Sequence, residues 1–314
     1  MMLSRIADNL FWLNRYMERV DALARSTRYF YILGFDTWEG ETLGYAPLLK
    51  CFTSASPQHI LEVQHSPQAV LQWVIADGSN PNSLKALVGK ARENARASQD
   101  KITKEVWEQV NALYHFIRGE SIGTQLAGEG ALPVLDKLEK ECLLYHGIID
   151  ATMPRGLAWE FMNIGRFLER SLLTIDFLQA YLEPMHYNLQ ANDDMLYWRR
   201  LLYALSGYEL YLKTNRGSQH TKQVIYQAIM NNHFPHSILY SLQRANKYVD
   251  AVLEQNAQPA AEKLGKQFGR LKSPVEFMDL ATLDGETLHA MLAGLRRQIL
   301  DFSMDFSKIY FSYT

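Results

Sequence analysis

One charged motif occurs twice in this chain, each time inside a long apolar stretch with helical spacing. Arg15-Tyr16-Met17-Glu18-Arg19 returns 151 residues later as Arg166-Phe167-Leu168-Glu169-Arg170. Charged side chains in apolar surroundings are costly unless they pair. The chain must therefore bury both stretches against elements that supply partners. Two further segments keep nearly the same spacing. Val70, Ile75, Pro81 and Ser83 match Val224, Ile229, Pro235 and Ser237 at 154 residues, and Asp150-Ala151-Thr152-Met153 resembles Asp301-Phe302-Ser303-Met304 at 151. The pattern predicts an all-α fold, a helical bundle built from two duplicated halves of about five helices each. The expected halves are 1–152 and 153–314, packed together as one unit.

The helical period runs the length of the chain. Ile6, Leu10, Leu13, Met17, Val20 and Ala24 recur at steps of three and four, and Phe11, Trp12, Tyr16 and Leu23 lie off that stripe. A helix so apolar around its girth belongs inside a bundle, and Gly34 is the expected stop. Residues 35–65 read as a helix-poor connection with one short helix near 57–64, followed by a helix over 67–76. The cluster from Asp77 to Ser83 breaks the pattern, with Ser83 as N-cap of a helix reaching 99. Thr103 opens the next helix. A loop is expected over 119–130, then a helix over 132–149. Pro154 and Gly156 mark the boundary. Helices follow over 159–182, 193–212, 221–230, 236–255 and 258–271. Lys272-Ser273-Pro274 reads as a turn before a last helix over 285–310. No alternating strand pattern occurs.

Composition narrows the function classes. The net charge of −2 offers no basic field for nucleic acid or anionic lipid. No apolar run approaches the ~20 residues of a membrane span, and the N-terminal residues lack a signal-peptide pattern. A cytoplasmic location is expected, with no nucleic-acid or membrane partner. Cys51 and Cys142 match no metal or redox spacing and read as reduced packing thiols. A carboxylate-bridged metal site needs two Glu-x-x-His pairs, and only Glu62 to His65 is present, so no metal is expected. No Walker loop, dinucleotide fingerprint or nucleophile elbow is present, and no cofactor is called for.

The motifs themselves admit two readings. Arg15, Glu18 and Arg19 share a helix face, as do Arg166, Glu169 and Arg170. They form either an ion-pair network between equivalent helices or an anion site in which arginine forks take a carboxylate or phosphate. Arg92, Glu93 and Arg96 make a third group with no equivalent in the second half, where Ala245-Asn246-Lys247-Tyr248 stands. Glu105, Trp107 and Glu108 follow on the next helix. These nine Arg and Glu residues of the three groups are the candidate binding residues; Glu18 and Glu169 are the candidate acids or bases.

At these residues the chain resembles the alpha-E domain family, helical bacterial proteins of unknown function with a Glu-Arg motif. The resemblance rests on residues 2–12 leading into Tyr16-Met17-Glu18-Arg19, on Ala91-Arg92-Glu93-Asn94-Ala95-Arg96, on 105–111, and on Trp159 to Arg170. It implies association with circularly permuted ATP-grasp ligases and transglutaminase-like proteins, in a system that makes and cleaves amide bonds on a peptide. One position departs from the expected pattern. Ser171-Leu172 follows the second Glu-Arg, where Val20-Asp21 follows the first. Three functions are thereby open: an accessory partner of a peptide ligase with a Glu/Arg centre for anion, peptide or partner binding; an enzyme using Glu18 or Glu169 as general acid/base in acyl or phosphoryl transfer; and a scaffold held by buried ion pairs.

Overall fold

A computed structural model describes residues 4–35, 43–128, 130–190, 194–215, 217, 219–255, 259–279 and 283–311. Among the described residues the chain is all-α, with 15 α-helices and no strand. The chain divides into two compact units. One comprises the described residues of Tyr16–Met153, the other those of Met1–Arg15 together with Pro154–Thr314. The break thus falls at Pro154, and the first turns of the chain group with the later residues.

In the Tyr16–Met153 unit, helix α1 (Ser4–Leu33) continues from Tyr16 onward, ending before Gly34, whose N–H still closes on Phe30 O. Three short helices follow: α2 (Ala46–Phe52), α3 (Pro57–Val63) and α4 (Pro67–Leu71), the last running on as a π turn through Ala76. Then come α5 (Leu84–Ala97), α6 (Lys104–Ile117), α7 (Ile122–Leu126) and α8 (Ala131–Thr152). Helix α6 packs on α5 and on α8. Leu84, Leu87, Val88 and Ala91 of α5, Val106, Val110 and Leu113 of α6, and Leu135 and Leu138 of α8 are fully buried. Ser83 and Thr103 are N-caps, accepting from the backbone N–H of Ala86 and Val106.

The other unit contains α9 (Leu157–Leu182), α10 (Met195–Ala204), α11 (Tyr208–Thr214), α12 (His220–Ile229), α13 (Ile238–Glu254), α14 (Pro259–Glu276) and α15 (Gly285–Tyr310). Helix α9 is its centre, packed by α13 and α15. Phe11 of α1 belongs here too, with its ring 6.1 Å from Phe306 and 5.2 Å from Phe311.

Several expected boundaries are corrected. The 35–65 connection holds α2, whose Leu48, Leu49 and Phe52 are fully buried; its residues 36–42 lie outside the described residues. The 119–130 loop contains α7, because Ile122 and Leu126, four apart, both face the core. The helix expected over 193–212 is two helices. Ser206 takes a positive φ, and a side chain on Gly207 would collide with Gln227 and Phe234. Lys272-Ser273-Pro274 is not a turn. Buried Leu264, Phe268, Leu271 and Val275 keep the stripe of α14 continuous past Pro274. The proline sits in the last turn, where few helical bonds are lost. The expected starts at 193 and 258 lie outside the described residues.

The loops before α5 and α13 have closely similar internal bonding. Asp77 accepts from Ser79 N at 2.7 Å and Asn231 from His233 N at 3.0 Å. Ser83 N donates to Asn80 O at 3.0 Å and Ser237 N to Phe234 O at 2.9 Å. Ser83 caps Ala86 at 3.2 Å, and Ser237 caps Tyr240 at 3.0 Å.

Gly165 lets α9 approach the start of α1 at backbone distance: a Cβ there would lie 2.2 Å from Phe11 O. Gly165→Ala is expected to destabilise the protein by roughly 1–3 kcal/mol or more, since backbone cannot move aside cheaply. A lowered urea midpoint with unchanged slope is the expected reading.

Candidate functional site

The two Glu-Arg motifs are linked by a buried pair. Arg15 Nε and Nη2 both reach Glu169 Oε2, at 2.8 and 2.7 Å. Arg15 is 6% exposed and Glu169 1%. The Arg15 guanidinium also lies 4.5 Å from the Trp12 ring centroid and 5.5 Å from that of Phe11. Aromatic faces thus supply the favourable electrostatics that water would otherwise give. Arg170, buried, donates from Nη1 to Pro235 O at 3.2 Å. Arg166 lies 5.6 Å from the Phe167 centroid.

Within Tyr16–Met153, Glu18 is 1% exposed, with Oε2 3.8 Å from His146 Nε2. Arg19 donates to Asn82 Oδ1 at 3.0 Å. In both units, then, the arginine after the glutamate reaches the loop that leads into a Ser-capped helix.

The third group is placed differently. Arg92 Nε donates to Asn111 Oδ1 at 2.7 Å, and its guanidinium stands 4.5 Å from the Tyr114 centroid and 5.5 Å from that of Trp107. Glu93 accepts from Arg92 at 3.3 Å and from Arg96 at 2.8 Å. The contacts of Arg92, Glu93 and Arg96 run to α6 and to one another, not to Glu18. Trp107 is therefore one wall of an exposed cationic–aromatic cluster. Among the described residues Glu105 and Glu108 pair with no arginine; Glu108 faces Lys104 at 3.5 Å.

A polar seam between α1 and α8 was not anticipated from sequence. Asp21 pairs with Arg25 on α1. Arg28 pairs with Asp136 and, at 3.1 Å, with Glu139. Burial pushes the Glu139 carboxyl upward against the pull of Arg28 and Arg25. Cys142 is fully buried in the same seam. Burial first, then Asp21, raises its thiol well above the ordinary range, so it stays protonated and packs. The departure noted at Leu172 fits here: Leu172 is a buried apolar residue, whereas Asp21 serves an ion pair. The available signal was the spacing of 18, 21, 25 and 28 on α1 against 136, 139, 142 and 146 on an antiparallel partner.

One open site of this unit is a groove of about 550 Å³ over α5 and α6. Tyr16, Lys85, Lys90, Asn94, Tyr114 and Arg118 line it, with Glu93 at its edge. Lys90 donates to Pro81 O at 2.9 Å and lies 5.6 Å from the Tyr16 centroid. Arg118 donates to Tyr114 OH at 2.8 Å. None of these three cations has an acidic partner among the described residues, and Glu93 is already held by two arginines. The groove therefore carries a local positive surplus beside tyrosine rings, in a chain of net charge −2. Sequence reasoning missed Lys85, Lys90 and Arg118, since single cations on amphipathic helices carry no motif. Among the described residues no three His, Cys, Asp or Glu side chains gather as a metal-ligand set, and no helix is long and apolar enough to cross a membrane.

Removing Glu169 takes the buried carboxylate away from the Arg15 guanidinium. Glu169→Ala is expected to cost roughly 3–5 kcal/mol, while Arg15→Met combined with Glu169→Leu restores most of that loss. Equilibrium urea unfolding of the three variants measures the difference.

Comparison with known proteins places the chain. Residues 2–311 match the Alpha-E family, described as a predicted alpha-helical domain with a conserved ER motif. An uncharacterised protein of Mycobacterium bovis and two of Mycobacterium tuberculosis are each 22% identical over 322 residues. The alignments cover 95% of this chain and 36% of each relative, so the chain spans about a third of their length. No solved structure matches it. With the family match running over essentially its whole length, the chain belongs to the Alpha-E family.

Proposed function

We propose that this protein is a binding module, an accessory to an ATP-grasp peptide ligase, and that its α5/α6 groove receives a carboxylate-bearing peptide. The observation that carries the reading is the groove itself. Three cations without acidic partners among the described residues, Lys85, Lys90 and Arg118, flank tyrosine rings. Glu93 and Asn94, within the segment Ala91–Arg96 that carries part of the family resemblance, line its edge. Ammonium and guanidinium groups at a half-open surface favour carboxylate or phosphate, and aromatic walls add apolar area. Ligase and transglutaminase-like partners enter through the family resemblance alone; the cytoplasmic setting we assign rests on the sequence pattern instead.

The Glu/Arg motifs then act as the frame that holds the helices in place. Glu169 accepts two bonds from one guanidinium in a site closed to solvent. A carboxylate held so is poorly suited to shuttle protons, which weighs against the enzyme reading. An internal duplication belongs to the same proposal. Its support is the matched bonding of the 77–83 and 231–237 loops and the reach of Arg19 and Arg170 to them.

Lys85→Glu/Arg118→Glu, at a half-buried and an exposed position, is expected to leave the cooperative unfolding transition in place. It should lower affinity for a short acidic peptide at least tenfold by titration calorimetry, and abolish any stimulation of an ATP-grasp ligase purified from the same cells. Undiminished peptide affinity in the folded double variant would remove the groove from the proposal.

A further inference from the structure

Tyr240, Arg244 and Tyr248 follow one another at four-residue steps, so they share one face of α13. That face meets Phe167 of α9. Tyr248 stacks on the Phe167 ring, with centroids 5.9 Å apart and planes 12° from parallel, and Tyr240 meets it edge-on at 6.3 Å. The Arg244 guanidinium lies 5.9 Å from each of the three centroids. Arg166 and Arg170 border the same Phe167 ring, at 5.6 and 5.2 Å. Three guanidinium groups thus gather at one ring. Arg244 is half-buried and pairs with no carboxylate among the described residues. Its Nε is buried without a hydrogen bond, and its Nη2 donates to the Tyr248 hydroxyl at 3.5 Å. Tyr248 is 5% exposed; its hydroxyl accepts that bond, and its own hydrogen meets no acceptor among the described residues.

A guanidinium carries five N–H donors and keeps its charge throughout the physiological range. Contact with aromatic faces offsets part of the cost of taking it out of water. Donors turned away from water without an acceptor leave the rest of that cost standing. An oxyanion supplies the missing acceptors. We infer that this face of α13 is a binding site for a tetrahedral oxyanion of the phosphate class, held by the Arg244 guanidinium and the Tyr248 hydroxyl. The planar fork of an arginine by itself satisfies a planar carboxylate. A phosphate has further oxygens outside the plane of the fork, and the phenolic hydrogen of Tyr248 is the donor for one of them. The site uses none of the residues of the α5/α6 groove and stands whether or not that groove takes a peptide.

The test is titration calorimetry of the full chain with inorganic phosphate, and with acetate as the planar comparison, at constant ionic strength. Both are run in a Lys85→Glu/Arg118→Glu background, where the groove no longer attracts anions, as well as in the native chain. Phosphate is expected to bind both chains equally, and at least tenfold more tightly than acetate in the background variant. Adding Arg244→Met, which removes the charge and keeps an apolar stem, should abolish phosphate binding without lowering the urea midpoint measured in chloride. Tyr248→Phe keeps the stacked ring and removes one oxygen. It should weaken phosphate about threefold, the worth of one hydrogen bond, and leave acetate unchanged, a selectivity that lost packing would not produce. If Arg244→Met does not fold, Tyr248→Phe decides. Absence of phosphate binding, or undiminished binding in folded Arg244→Met or in Tyr248→Phe, overturns the site. Acetate as tight as phosphate overturns the tetrahedral guest. Phosphate binding that is lost in Lys85→Glu/Arg118→Glu belongs to the groove and overturns the site on α13.

Discussion

A guanidinium and a carboxylate removed from water, Arg15 and Glu169, set the terms for the packing around α9. Each alone would be prohibitively costly where it sits. Together, with Trp12 and Phe11 against the guanidinium, they can be buried on helices that approach as closely as Gly165 allows. Ion pairing of this kind contributes less to net stability than apolar side chains of the same volume would. Its value is in register. A turn's displacement of α9 along the first residues of α1 would separate this buried pair. The motif thus specifies an arrangement more than it stabilises one.

The same logic recurs on α1 within the Tyr16–Met153 unit. Glu18, Asp21, Arg25 and Arg28 face His146, Cys142, Glu139 and Asp136 in an ordered seam. Charges that would be a burden on an apolar helix become a code for which helix lies alongside and in which direction. Once these charges are engaged internally, they have little left to offer a ligand. On the solvent side of α5 and α6, by contrast, Lys85, Lys90 and Arg118 line the groove without acidic partners among the described residues.

Most of the helices were legible in the linear pattern because apolar periodicity and capping residues are local properties. Ser83 and Thr103 cap as their chemistry predicts, and the first helix ends before Gly34. The errors have a common cause. Pro274 reads as a breaker locally, but burial of Leu271 and Val275 carries the helix past it. Ile122 and Leu126 are too few to signal a helix, yet two buried side chains four apart stabilise one turn of it. Ser206 and Gly207 interrupt a stretch whose apolar period gives no warning, because the space at Gly207 is set by Gln227 and Phe234 from distant sequence.

The candidate site divides in the same way. From sequence alone came the all-α class, the two Glu-Arg motifs, the family, and the requirement that Arg15, Glu18, Glu169 and Arg170 find partners, because the cost of burying charge is legible wherever it interrupts an apolar helix. Which partner each finds was decided by tertiary structure. Arg15 to Glu169 spans 154 residues, and no local spacing encodes it. The groove was decided there too. Ala86, Gly89 and Asn94 are unremarkable in a helical pattern. They become a cavity only when Tyr16 on one helix and Tyr114 on another enclose the space they leave, since a void is a property of what surrounds it rather than of the residues that fail to fill it.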